Sequence, residues 1–177
     1  MRIDHIAYRV LDKEVAASFF KKAFGYFIAD SFEISFEDGT CAQCYALSPP
    51  ERLNQDDYFS KWLLSNDNGE YHMPPEIFVS EGSPGSIVSA WIDRKGGVGG
   101  IHHIAYQVDN VTETMNRWVE SGLAEFTTSS PISSDGLEQC FTKENPITGI
   151  VYEFVSRTTK GFNVSNVKDL MKSTKDT

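Results

Sequence analysis

Apolar and polar positions alternate or recur along the chain in an order that it runs through twice. Residues 3–10 are rich in β-branched and aromatic side chains and contain no Gly or Pro, so they read as a strand. Asp12 can cap a helix over 14–24, with Val15, Ala16, Phe19, Phe20, Ala23 and Phe24 at helical spacing. Lys21 and Lys22 sit near its end, and Gly25 stops it. Strands are expected over 26–36 and 40–47, joined by a turn at Glu37-Asp38-Gly39 and closed by Ser48-Pro49-Pro50.

Residues 51–74 are less regular, with a short helix expected over 56–64 and a loop at 66–69. An excursion of this length reads equally as a lid, a binding loop or a surface insertion. A strand over 76–80 and a short helix over 86–94 complete the first half. The Gly-rich stretch 95–100 lacks the spacing of a phosphate loop and runs into a strand, so it reads as a hinge. The second half predicts a strand over 100–108 and a helix capped by Asn110 or Thr112 and ended at Gly122. Strands follow over 124–128, 137–143 and 148–156, and a final helix over 165–172.

The two halves begin on nearly the same words. Ile3-Asp4-His5-Ile6-Ala7-Tyr8-Arg9-Val10 returns as Ile101-His102-His103-Ile104-Ala105-Tyr106-Gln107-Val108. Side chains alternate along a strand, so His5 is expected to share a face with Ile3, Ala7 and Arg9, while Ile6, Tyr8 and Val10 point the other way. Either histidine alone would pass as a half-buried core residue. The same histidine in two matched strands points instead to two halves of one site.

The expected organisation is one domain over 1–177: a first module over 1–95, a hinge at 96–100, a second module over 100–157 and a C-terminal helix over 165–172. The fold class is α+β, with two βαβββ modules.

Composition narrows the function. A net charge of −9 gives no surplus of cations for phosphate backbones, so nucleic acid is not expected as a partner. No apolar run approaches the ~20 residues of a membrane span, and no signal peptide is visible, so a cytoplasmic location is expected. Cys41, Cys44 and Cys140 are an odd set; Cys41 and Cys44 form a C-x-x-C inside a strand without a second pair, and read as ordinary thiols. Whether two chains pair as a homodimer is left open.

The chemistry converges on the last strand. Glu153 lies in the apolar run Val151-Tyr152-Glu153-Phe154-Val155, and a buried carboxylate needs a partner. A Lys or Arg would serve, and so would a metal held with two histidines. Two histidines and a carboxylate from separate strands make a facial triad of the kind used by non-haem Fe(II) oxygenases. Gln139 and Phe141 share a face of the neighbouring strand and suit a polar or aromatic ligand, although Phe141 alone would also suit a core and Gln139 an exposed position.

At these residues the chain resembles the vicinal oxygen chelate (glyoxalase/bleomycin resistance/dioxygenase) superfamily. Within it, Ile3-Asp4-His5, the run from Ser80 to Pro84, Gly99 to Ala105, and Gln139 to Lys143 are similar to the catalytic domain of the 4-hydroxyphenylpyruvate dioxygenases. Tyr152 to Arg157, Gly161-Phe162, Asn166 and Leu170 extend the likeness. The resemblance implies that the two modules form an open, cup-shaped mixed β-sheet around a metal held by His5, His103 and Glu153, most simply Fe(II), with Zn, Co, Ni or Mn as alternatives. It implies Gln139 and Phe141 as catalytic, substrate-contacting residues, with Phe162 and Phe78 also against the substrate. The activity it implies is oxidation of a small 2-oxo acid or related aromatic substrate with O2.

Two alternatives stay open: an epimerase or lyase of the methylmalonyl-CoA epimerase or glyoxalase type, and a metal-free ligand-binding resistance protein. The epimerases use a fourth ligand from the last strand of the first module. Phe78 is aligned with that position, and a slip of two residues would bring Glu76 there instead.

Overall fold

The computed structural model describes residues 2–50, 74–134, 136–158, 162 and 164–175. The expected helix over 56–64, its neighbouring loop and Gly161 lie outside the described residues. β1 (Arg2–Val10) leads into α1 (Lys13–Phe24) and then β2 (Phe27–Ser35), β3 (Cys41–Ser48) and β4 (Glu76–Gly82). α2 (Ile87–Arg94) crosses to β5 (Gly100–Gln107), α3 (Val111–Glu120), β6 (Ile132–Ser134), β7 (Leu137–Phe141) and β8 (Val151–Arg157). α4 (Val164–Ser173) closes the described chain.

Local chemistry sets these limits. Asp12 caps α1 by accepting from the Val15 amide at 2.9 Å, and Gly25 ends it in the left-handed region at φ 75°. Asn110 rather than Thr112 caps α3, accepting from the Glu113 amide at 2.9 Å.

All eight strands form one curled, open sheet in the order β2-β3-β4-β1-β5-β8-β7-β6. The order reads as a half and its reversed copy, joined where β1 pairs antiparallel with β5. In that pairing Ile6 faces Ile104, its own counterpart in the repeat. When equivalent residues pair antiparallel, a local twofold axis passes between them, and the two halves are bound to face each other across it.

α1 packs over Leu47, Ile77 and Val79 together with Ile6, Tyr8 and Val10 on the outer face. α3 packs over Cys140 and Phe154 in the same way. The inner face is thereby left to a cavity, over which α4 sets Leu170 and Met171.

One expected strand is displaced. Residues 124–128 form no strand; Phe126 makes a single bridge to Thr142, and β6 lies further on at Ile132–Ser134. Pro131 has no amide hydrogen to continue the ladder, so the chain pairs with β7 in two short pieces on either side of it. β8 also begins later than expected, because Asn145 Oδ1 accepts from the Ile147 and Thr148 amides and holds 147–150 in a turn.

Cys41, Cys44 and Cys140 are free thiols. Burial pushes Cys44 and Cys140 up to about 12, which leaves both inert as nucleophiles. No helix among the described residues is long and apolar enough to cross a membrane.

Gly99 lies against the seam between the halves. A Cβ there would stand 2.7 Å from the Arg9 carbonyl oxygen and 3.1 Å from Val10 Cα. Backbone cannot step aside as a side chain can, so Gly99→Ala is expected to cost about 1–3 kcal/mol. Urea unfolding should show a lower midpoint with an unchanged slope.

Candidate metal centre

The halves meet around three side chains. His5 from β1, His103 from β5 and Glu153 from β8 each bring a donor atom to one point, all within 4.8 Å of one another. The two Nε2 atoms are 3.2 Å apart, and Glu153 Oε2 lies 3.2 Å from His5 and 3.3 Å from His103. Donors with ~2.1 Å bonds to one ion stand ~3.0 Å apart on an octahedral edge and ~3.4 Å on a tetrahedral one. The observed triangle falls between these, so the three residues fit a divalent ion without rearrangement. Nitrogen and carboxylate donors suit Fe, Zn, Co, Ni or Mn.

The electrostatics of the bare cluster agree. Burial would push His5 down, but the Glu153 charge and hydrogen bonds to Asp4 and Glu153 outweigh it and raise His5 to about 9. Burial would raise Glu153, and the opposing pull of His5 and His103 brings it down to about 2. His103 is lowered, chiefly by burial. At neutral pH the cluster therefore holds one proton, on His5, in the place where a cation belongs.

Two β-bulges orient the rings. Along the β1–β5 seam Ile3 pairs with Tyr106 and His5 with Ala105, leaving Asp4 as an extra residue on β1. Likewise Ala7 pairs with His103 and Tyr8 with Ile101, leaving His102 extra on β5. Asp4 and His102 are counterparts in the repeat. Each bulge turns its residue onto the neighbouring ligand ring: Asp4 Oδ1 is 2.8 Å from His5 Nδ1, and His102 Nδ1 is 2.8 Å from His103 Nδ1. Arg157 pairs with Asp4 in turn. A partner on Nδ1 leaves Nε2 free for a metal, which is the usual outer support of a ligand histidine.

Strand alternation alone puts Asp4 and His102 on the far face, so neither was expected here. The available signal was a polar residue immediately before the histidine in both copies. The bulge also removes Ile3 from the inner face, where it had been expected; it is exposed, while His5, Ala7 and Arg9 line the cavity.

The register also locates the fourth-ligand position. Ala105 pairs with Glu153 and Ala7 with Phe78, and Ala7 and Ala105 are counterparts. The internal twofold therefore matches Phe78, not Glu76, to Glu153. Phe78 is buried and lines the cavity, with its ring 4.9 Å from Phe162. Glu76 is the counterpart of Val151 and stays outside the cluster, with Oε1 3.5 Å from Ser48 Oγ.

The open cavity also takes in Gln139, Phe141 and Phe162. Gln139 is buried with no partner for Nε2 among the described residues, and the Phe141 ring lies 4.9 Å from that of His103. Phe162 lies 5.0 Å from the His5 ring.

With this geometry in view, the comparisons with known proteins are informative. A family model for the glyoxalase/bleomycin resistance protein/dioxygenase superfamily matches residues 4–141. No curated protein matches the chain. A selenomethionine crystal structure of methylmalonyl-CoA epimerase is similar, with TM-score 0.63 and 20% identity over 90% of this chain and 97% of that one. The Mycobacterium tuberculosis methylmalonyl-CoA epimerase is similar with TM-score 0.61 and 15% identity over 89% of each chain. A variant of 4-hydroxymandelate synthase from Streptomyces coelicolor gives TM-score 0.71 and 16% identity over 97% of this chain but 52% of that one. At these identities the likeness is one of fold.

Two outcomes follow from the cluster. Metal binding must displace the His5 proton, because Glu153 is already ionised and His103 already neutral. About one proton should be released per ion near pH 7.5, and affinity should rise ~10-fold per pH unit until about pH 9, then level off. Calorimetry in buffers of different ionisation enthalpy measures this directly. Asp4→Asn should weaken metal binding about 10- to 100-fold with the fold intact, read by competition with a chelating dye.

Proposed function

The chain belongs to the glyoxalase/bleomycin resistance protein/dioxygenase superfamily, and on that premise we propose that it is a non-haem Fe(II) dioxygenase acting on a small 2-oxo acid. His5, His103 and Glu153 are the residues that would hold the ion. The observation that carries this reading is Phe78. In the half containing β8 the twofold-related position is a carboxylate ligand; in the other half it is a phenyl ring that cannot bind a metal. A three-donor set leaves more of the ion open than a four-donor set, which favours a chelating substrate plus a gas over a simple Lewis-acid site. Loaded with Fe(II), such a centre supplies O2 activation beside a chelated 2-oxo acid; loaded with Zn, Co, Ni or Mn it supplies carbonyl polarisation.

The chain's own residues would bind, orient and shield. Gln139 offers a buried amide to a polar group of the substrate. Phe141, packed on the His103 ring, would press on the substrate beside the ion. Phe78 and Phe162 would form an apolar wall that keeps water from the reacting end.

A second reading is a metal-dependent epimerase, favoured by the length match to the epimerase structures. Such chemistry needs a side chain to carry a proton. Among the described residues lining the cavity, Glu153 is the sole carboxylate and already belongs to the donor cluster, which is why the oxygenase reading is preferred.

Protein purified without added metal should contain iron by elemental analysis and consume O2 with 2-oxo acids. His103→Ala should lower both bound metal and turnover by more than about 100-fold. Turnover undiminished under anaerobic conditions would place the protein with the epimerases, and metal retained by His103→Ala would remove the cluster as its site.

A further inference from the structure

Arg9 is buried in the wall of the same cavity, two steps along the inner face of β1 from His5. Four residues at about 3.3 Å each put its Cα roughly 13 Å from that of His5. Its Nη2 donates to Thr174 Oγ1 at 3.4 Å, while Nη1 has no hydrogen-bond partner among the described residues. No carboxylate of the described residues pairs with it; the charge that acts on it is another cation, Arg94. Burial and then Arg94 push its pKa down to about 9, so it is still charged at neutral pH.

The guanidinium carbon lies 5.6 Å from the Trp91 ring; Lys95 Nζ lies 5.7 Å from the same ring and pairs with Glu144 at 2.7 Å. His102, also in the cavity wall, has a buried Nε2 without a partner among the described residues. If His103 donates its Nδ1 hydrogen to His102 Nδ1, as a metal on Nε2 requires, the His102 proton is on Nε2 and that atom is a donor.

The metal end of the cavity is balanced, with Glu153 and Asp4 against His5 and Arg157. Among the described residues the Arg9 end is not, in a protein whose net charge is −9. An uncompensated buried cation is costly, and one set in a cavity wall is answered by an anion that enters the cavity.

We propose that Arg9, with His102, is an anion subsite that takes the distal carboxylate of a small dicarboxylic 2-oxo acid. The 2-oxo-carboxylate head of that ligand lies at His5, His103 and Glu153. The placement of the head and the donor role of His102 rest on the function proposed above; the part of Arg9 does not. Arg9 then acts as a ruler, selecting diacids of one length from the larger class of 2-oxo acids.

The test compares matched probes by calorimetry, on metal-loaded and on chelator-treated protein: 2-oxoglutarate against 2-oxopentanoate, and 2-oxoadipate against 2-oxohexanoate. In at least one pair the diacid should bind about 10- to 100-fold tighter than its monoacid, as expected of a charge-assisted contact in a buried site. That ratio should persist without metal, even though both members weaken, and should fall to near one in Arg9→Met. Removing an unpaired buried cation should not lower the melting temperature; were Arg9→Met to misfold, Arg9→Gln gives the same reading. Equal binding within both pairs, or a ratio unchanged in the Arg9 variants, overturns the subsite. Failure of the metal reading shows separately, as diacid preference with no effect of metal on either probe.

Discussion

A carboxylate taken out of water must be met by positive charge, and the arrangement around Glu153 follows from that demand. Its side chain is 1% exposed in the middle of β8, flanked by Val151, Phe154 and Val155. No lysine or arginine reaches it among the described residues. Two imidazoles do, one from each half of the chain, and they can be there together only because β1 and β5 pair at Ile6 and Ile104. The antiparallel seam thus fixes the histidines relative to each other, and β8, parallel to β5, brings the carboxylate between them. The proton on His5 is the smallest cation that completes the set. A divalent ion completes it better, since it answers three donors at once and leaves no ring charged against burial.

The inner face then has a polarity that the overall charge conceals. At one end acid and base are balanced within hydrogen-bonding distance; at the other, Arg9 has a hydroxyl and an indole ring for company. Between them lie Ala7, Phe78, Phe141 and α4's Leu170 and Met171, which are apolar and lower the local dielectric. Coulomb interactions across such a gap are stronger than in water, so an anion placed near Arg9 is worth more than the same contact at the surface. The same apolar lining makes the nitrogens of Arg9, His102 and Gln139 that have no partner among the described residues expensive until something fills the space.

Much of this was legible in the residues. The repeat disclosed two matched strands, and Glu153 in its apolar run disclosed the need for a partner; the helices and most strands follow from caps, glycines and periodicity. What escaped did so for identifiable reasons. Alternation assumes an unbroken ladder, and a bulge at Asp4 and another at His102 turn the two residues that orient the ligand rings away from the face alternation assigns them. β6 was misplaced because 124–128 and Ile132–Ser134 compete for the same edge and Pro131 decides the division. Alternation puts Arg9 on the inner face, but neither its burial nor the absence of an acidic partner among the described residues is written locally; both depend on Trp91, Thr174 and Arg94, which are distant in sequence.

The choice between Phe78 and Glu76 shows most clearly why register matters more than spacing. A two-residue slip leaves both side chains on the same face of β4, so neither hydrophobic pattern nor strand length can separate them. The internal twofold can, because it supplies a second copy for comparison: Glu153, in the candidate donor cluster, pairs beside Ala105, and Ala105 is Ala7 repeated. Had both halves kept a carboxylate there, the centre would have four donors and an acid available to move protons. With Phe78 in one half, that half contributes a single candidate donor, His5, and a hydrophobic wall, stacked against Phe162. The duplicated strand is therefore set in two unlike surroundings. In the second half it places His103 beside a carboxylate, and in the first it places His5 beside a phenyl ring, an asymmetry that the proposed chelating substrate and small reactive gas would both use.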